Sequence, residues 1–217
     1  GYFKYSKCYN KHMKLTMHIN LALFYMCLLS FSLSAETNPH QFIDEKSQEM
    51  VNVIVTNSDL FKSDPTAFKQ KVKEIFEPMV DFRRVGAMVM GRTYYKNASF
   101  EQRNEFIEVF KSSLLDTYAE TLAQWGDQKI ETIWPDDSTE ELPAVVDVNQ
   151  KLITSSNTYP ITYKVRNNGS SGWQIVNIVI NGVNLGLTFR NQFQALAFEN
   201  NNDINAVIIN WSADIDV

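Results

Sequence analysis

The chain has 217 residues, 44% hydrophobic and 21% charged, which is the make-up of one ordinary folded domain and excludes disordered and fibrous classes. A net charge of −5 argues against nucleic acid as a partner. Two cysteines and three histidines leave little material for thiol or metal chemistry.

Residues 1–35 carry Lys4, Lys7, Lys11 and Lys14 and no carboxylate. An apolar run over 19–31 follows, and then Ser32, Leu33, Ser34 and Ala35. A basic stretch, a short apolar core and a small-residue exit predict a secretory signal peptide. The run is shorter than the roughly 18–20 residues that span a bilayer. With Met13 or Met17 as the start, residues 1–12 are upstream read-through or a fragment artefact. Cleavage is expected near Ala35, leaving a single domain over 36–217. That cut removes four lysines, both cysteines and two histidines, so the net charge becomes −9 and only His40 remains of the histidines. A cysteine-free exported chain suits an oxidising compartment such as a bacterial periplasm.

Asn38 and Pro39 open a helix reaching about Thr56, with Phe42, Ile43, Met50, Val53 and Ile54 on its apolar side and Asn57 as its stop. Asp64 and Pro65 repeat the signal for a second helix carrying Phe68, Val72, Ile75 and Phe76, ended by Pro78. Asp81 caps a third segment over 82–90, closed by Gly91. Ser99 and Gln102 form a capping box that starts a long helix over 100–125. Its apolar residues Phe106, Phe110, Leu114, Tyr118 and Leu122 recur every four positions.

Past Gly126 the texture changes. Four strands are expected, over 129–134, 144–153, 161–166 and 173–180, joined by short turns in an antiparallel meander. Ile175, Val176, Ile178, Val179 and Ile180 fall on both faces, the pattern of a strand covered on both sides. Thr188 is expected to cap a helix over 189–199, and Asp203 a last helix carrying Val207, Ile208 and Trp211. Helices, then a meander, then helices make an α+β fold.

The chemistry-bearing residues are sparse. His40, in a first helical turn, reads as exposed and unengaged. No phosphate-loop or dinucleotide-binding glycine pattern occurs, and no cysteine or histidine cluster offers a metal site. Asp136, Asp137, Glu140 and Glu141 lack the spacing of a calcium loop and read as a solvated hairpin tip. Asp81, between Val80 and Phe82, is the best candidate acid, with helix capping as its alternative. What the chain has in quantity is large apolar residues, which either fill a core or line a cavity.

The segment 85–99, with Gly86, Met88, Met90, Gly91, Arg92, Thr93, Tyr94 and Tyr95, is followed by Gln102, Arg103, Phe106, Phe110 and Tyr118. Thr37, Asn38 and Pro39 precede it. Gly172, Trp173 and Gln174, and then Gly182, Val183, Asn184 and Leu185, complete an ordered set. Together these resemble the MlaC, or toluene-tolerance, family, from about Glu36 to the end of the chain.

The resemblance implies a periplasmic phospholipid carrier with no catalytic role and no cofactor, the lipid being cargo. It implies partners at both membranes, an outer-membrane lipoprotein–porin complex and an inner-membrane ABC transporter with an MCE-domain ring. It implies a sheet wrapped by helices with acyl chains held in the cavity between them, so the four-stranded antiparallel sheet read above is expected to be wrapped by the N-terminal and C-terminal helices around an internal apolar lipid cavity. On that basis Val85, Val89, Phe106, Phe110, Leu114 and Tyr118 are expected to line the cavity opposite Val176, Ile178, Val183, Leu185 and Phe193. For each of them plain core packing is an equal alternative. Arg83, Arg84 and Arg92 are the candidates for head-group or partner contact, since guanidinium suits phosphate geometry. Three other readings stay open: a lipid-acting enzyme using Asp81, a binder of a different hydrophobic ligand, and an adaptor with a filled core.

Overall fold

The structure, a computed structural model, describes residues 38–136 and 142–213. The expected leader over 1–35 and the acidic tip over 137–141 lie outside the described residues. Helix α1, Pro39–Thr56, starts as its sequence demands, with the Asn38 side chain accepting the His40 backbone N–H at 2.8 Å and proline at the first helical position. His40 itself corrects the sequence reading. It is 8% exposed, its ring Nδ1 lies 3.2 Å from Asn38 Oδ1, and burial lowers its pKa.

Asn57 does not end helical structure for long. A short helix α2, Ser58–Ser63, follows at once, and Asp64 then caps α3, Pro65–Met79, through the Ala67 N–H at 3.0 Å. Asp81 caps α4, Phe82–Asn97, through the Arg84 N–H at 3.0 Å. Gly91 does not close that helix. Its φ of 71° puts a kink in it, a conformation glycine adopts without the Cβ clash, and helical structure resumes as far as Asn97. The Ser99–Gln102 capping box starts α5, Phe100–Ala123, as expected.

The sheet has five strands, not four, in the order β1-β2-β3-β4-β5 with every neighbour antiparallel. They are β1 Lys129–Ile133, β2 Val145–Ile153, β3 Thr158–Asn167, β4 Trp173–Ile180 and β5 Val183–Asn184. The additional strand is two residues of the connector after β4, too short to show a period in sequence.

Strand β2 alternates as a half-buried strand should. Val146, Val148 and Gln150 are buried, while Asp147, Asn149 and Lys151 are exposed. On that outer face Lys164 Nζ meets Asp147 Oδ1 at 2.8 Å, and Thr162 donates to Asn149 at 2.7 Å. The helices pack on the other face.

The two-faced pattern of β4 has a different cause from the double coverage expected. Val165 pairs with Ile175, but Lys164 pairs with Asn177, so Val176 is the extra residue of a β-bulge. The bulge resets the alternation. Ile175, Ile178 and Ile180, partners of Val165, Tyr163 and Ile161, all face the helices.

Helices α6, Leu185–Glu199, and α7, Ile204–Asn210, close the structure. Helix α6 begins four residues before the expected start. Asn184 is the cap, accepting from Leu187 N–H at 3.1 Å, and the Thr188 hydroxyl only donates back to the Asn184 carbonyl. Beside α5 these helices build an aromatic core. Phe106 stands 5.0 Å from Phe193 and 5.2 Å from Trp211, and Phe110 stands 5.2 Å from Phe189, all edge to face or nearly so. Trp211 Nε1 donates to Ser113 Oγ at 3.1 Å. No described helix is long and apolar enough to cross a membrane.

Candidate functional site

The junction between α3 and α4 is fastened to the sheet. Val80 bridges Ile175, and the Asp81 N–H donates to the Ile175 carbonyl at 3.0 Å. This holds the helical layer at one point. Away from it, α1, α3 and the second half of α5 diverge from the sheet and leave a cavity of about 380 Å³. That volume lies within the range of small-ligand pockets.

Its walls are almost wholly apolar. Helix α1 supplies Met50, Val51 and Ile54, α3 supplies Val72, Phe76 and Met79, and α5 supplies Phe110, Leu114, Leu115, Tyr118 and Leu122. Trp125, Ile130, Tyr163, Ile175, Ile178 and Ile180 close the sheet side, and Leu185, Gly186 and Phe189 one end. Burial among these groups pushes the Tyr163 phenol up to about 12.

The polar atoms at the edge of the cavity are mostly engaged. Gln150 Nε2 donates to Ser47 Oγ at 2.7 Å and to Thr132 Oγ1 at 2.9 Å, and Thr132 donates to Asp44 at 2.6 Å. Asn177 donates to Asn184 at 3.0 Å and accepts the Gly186 N–H at 3.1 Å, which fixes the start of α6 against the sheet. Gly186 allows this close approach, since a Cβ there would lie 2.6 Å from Asn177 Oδ1 and against Met88.

Of the residues expected to line a cavity, the structure brings together Val85, Phe110, Leu114, Tyr118, Ile178 and Leu185. Val89, Phe106 and Phe193 stand elsewhere, each fully buried in the main core. Val176 is the bulged residue of β4 and Val183 lies on β5, and neither borders the cavity. The expectation overlooked the walls from α1 and α3. Their apolar stripes were visible at Met50, Ile54, Val72 and Phe76, but nothing local assigned them to a cavity instead of a core.

The three arginines stand in different settings. Arg83 lines a second, polar pocket, Arg84 Nε lies 3.4 Å from Asp81 Oδ2, and Arg92 follows the kink at Gly91. Asp81 is fully occupied by the Arg84 N–H, the Arg84 side chain and Asn168 Nδ2 at 3.0 Å. A carboxylate so engaged serves as cap and strut. Among the described residues no group of three or more His, Cys, Asp or Glu is placed to hold a metal ion.

A bulged antiparallel sheet, helices on one face and an apolar cavity between them define an α+β protein with a chamber for a hydrophobic ligand. The sequence model of the family described as "MlaC protein" matches residues 44–213, and the chain belongs to that family. It is 30% identical over 186 residues to the toluene tolerance protein Ttg2D of Pseudomonas putida, covering 85% of this chain and 84% of that one. It is 28% identical over 163 residues to the intermembrane phospholipid transport system binding protein MlaC of Haemophilus influenzae, covering 73% and 74%. A phospholipid-binding protein from Ralstonia solanacearum, solved in complex with a phospholipid, shares the fold. Its TM-score is 0.71 at 22% identity, over 80% of this chain and 94% of that one.

Proposed function

We propose that the protein is a periplasmic phospholipid carrier whose cavity receives acyl chain. The observation that carries this reading is the apolar cavity of about 380 Å³ between sheet and helices, in a chain of this family. The name of the Haemophilus influenzae relative and the lipid in the related structure support the same ligand class.

The physics of the task explains the composition. Each CH₂ moved from water to an apolar site gains about 0.8 kcal/mol, so a whole lipid does not cross water unaided. A carrier exchanges one apolar environment for another at little net cost, and no bond is made or broken. It needs no cofactor, and its direction comes from the complexes it docks on. These are an outer-membrane lipoprotein–porin complex and an inner-membrane ABC transporter with an MCE-domain ring. A net charge near −9 after leader removal opposes adsorption to anionic bilayers and suits handover between proteins.

Native mass spectrometry of the protein purified from cells tests the reading, with an adduct of phospholipid mass expected. Leu114→Trp, which places an indole in the cavity, is expected to keep the fold by circular dichroism and to lose the adduct. A wild-type protein that stays lipid-free after incubation with vesicles would sink the proposal.

A further inference from the structure

The apolar wall of the cavity carries a polar group that the fold itself leaves unused. Tyr163 stands on β3, the central strand, with Val148 and Ile178 as its cross-strand neighbours. Its side chain leaves the sheet on the helix side and lines the cavity. The hydroxyl has no hydrogen-bond partner among the described residues, and burial alone raises its pKa. A buried tyrosine hydroxyl is usually bonded, because a donor left without an acceptor is costly. Neighbouring polar groups of the wall are committed elsewhere. Ser47 donates to the Ile43 carbonyl and accepts from Gln150 at 2.7 Å, and Asn177 is bonded to Asn184 and to the Gly186 N–H. Trp125 Nε1 also lacks a partner, but that atom is covered by its neighbours, so nothing entering the cavity meets it. Tyr163 Oη is not sealed in this way.

We infer that the Tyr163 hydroxyl donates to an ester carbonyl of the cargo, and that it makes the cavity discriminate ester-linked from ether-linked chains. The inference rests on the carrier reading and adds the linkage class to it. A diacyl phospholipid brings two long chains into an apolar chamber and, where they begin, two ester carbonyls. Those carbonyls accept and have no hydrogen to give, so they complement a donor that has no acceptor. An ether-linked lipid keeps the head group, the glycerol and the chain length, with a methylene in place of each carbonyl. It buries similar apolar surface and leaves the phenol unbonded. The phenol keeps its proton at neutral pH and so remains a donor there. Its place on the central strand gives the bond a second effect. A carbonyl held at β3 fixes how far the glycerol is drawn between sheet and helices, and so sets the register of the chains along the cavity.

The protein is loaded from vesicles holding equal diacyl and dialkyl phosphatidylcholine of the same chain length, and native mass spectrometry reads which lipid is bound. Wild type is expected to enrich the diacyl lipid about 3- to 10-fold, the worth of one hydrogen bond. Tyr163→Phe keeps the ring and removes only the hydroxyl. With vesicles in excess it is expected to load fully and to bring the ratio back to that of the vesicle. Trp125→Phe, which removes the covered donor, is expected to keep the wild-type ratio. Infrared spectra of bound diacyl lipid with isotope-labelled ester carbonyls give a second reading. The labelled band is expected at lower frequency in wild type than in Tyr163→Phe. Wild type that loads in vesicle proportion overturns the inference and leaves the carrier intact. So does a preference that survives in Tyr163→Phe or vanishes in Trp125→Phe. A lowered carbonyl frequency that persists in Tyr163→Phe also overturns it, since water would then be the donor. A wild type that loads neither lipid overturns the carrier reading, and this inference with it.

Discussion

The two halves of helix α5 present the same stripe and meet different fates. Phe106 and Phe110, in the first half, are 0% and 1% exposed among Phe189, Phe193 and Trp211. Leu114, Tyr118 and Leu122, in the second half, continue the four-residue spacing and border the cavity. The difference lies in what stands opposite. Helices α6 and α7 bring rings that interlock with the first half, whereas α1, α3 and the sheet bring mostly aliphatic side chains held too far away to fill the second. Phe110 belongs to both regions. The packed half sets the distance of the helical layer from the sheet, and the open half uses that distance.

The largest expected effect breaks the packed half. Phe106→Ala removes a fully buried ring in contact with three others, and about 3–5 kcal/mol of stability should go with it. Leu122→Ala trims a partly buried side chain that borders the cavity and has fewer packing neighbours to lose, so the loss should be nearer about 1–2 kcal/mol. Denaturant unfolding of the lipid-free protein measures both. Equal losses would mean that the two halves are packed alike.

A titration sharpens the same contrast. Tyr163 faces the open half, and burial holds its phenol up to about 12, against 10.0 in the unfolded chain. The folded state keeps its proton where the unfolded state gives it up. That contribution is intact below pH 10 and is lost as pH rises from 10 towards 12. Tyr163→Phe should flatten this alkaline limb by about 2–3 kcal/mol relative to wild type. Lipid in the cavity should push the Tyr163 transition higher still, which absorbance of the phenolate at alkaline pH would read. A Tyr163 that titrates near 10 would mean water fills the space.

Element identity was largely legible in the sequence, because capping side chains and apolar period act locally. Asn38, Asp64, Asp81, Ser99 and Asp203 all cap as their sequence context demands. The failures arise where distant residues decide. The positive φ at Gly91 suits a stop and a kink equally, and the helix resuming beyond it selects the kink. The bulge at Val176 mimics a doubly covered strand, since inserting one residue shifts the alternation just as two apolar faces would. His40 is buried although its position in the first turn suggests exposure. For the candidate site, an i, i+4 stripe marks the inward face of a helix but says nothing of how far away the facing wall stands. Phe106 and Leu114 are therefore alike in sequence and unlike in the fold.

The smallest expected effect concerns the ion pairs that line the polar pocket. Burial alone would lower the Lys111 pKa, but its hydrogen bonds to Glu108 and Glu77 outweigh that and raise it, and the same bond holds Glu77 below the usual carboxylate range. A lowered acid contributes stability above its unfolded pKa and loses it as pH falls through its folded pKa. Glu77→Gln should therefore be slightly less stable than wild type at neutral pH, with the gap closing below pH 4.5. The gap should be small, because Glu77 is 41% exposed and Glu108 still pairs with Lys111 in the variant. Glu77→Gln combined with Glu108→Gln leaves the largely buried ammonium with neither carboxylate partner, and the loss should then exceed the sum of the single changes. Additive losses in that double-mutant cycle would show the two carboxylates acting as separate surface charges, with no shared role in holding Lys111 above the Phe82 ring.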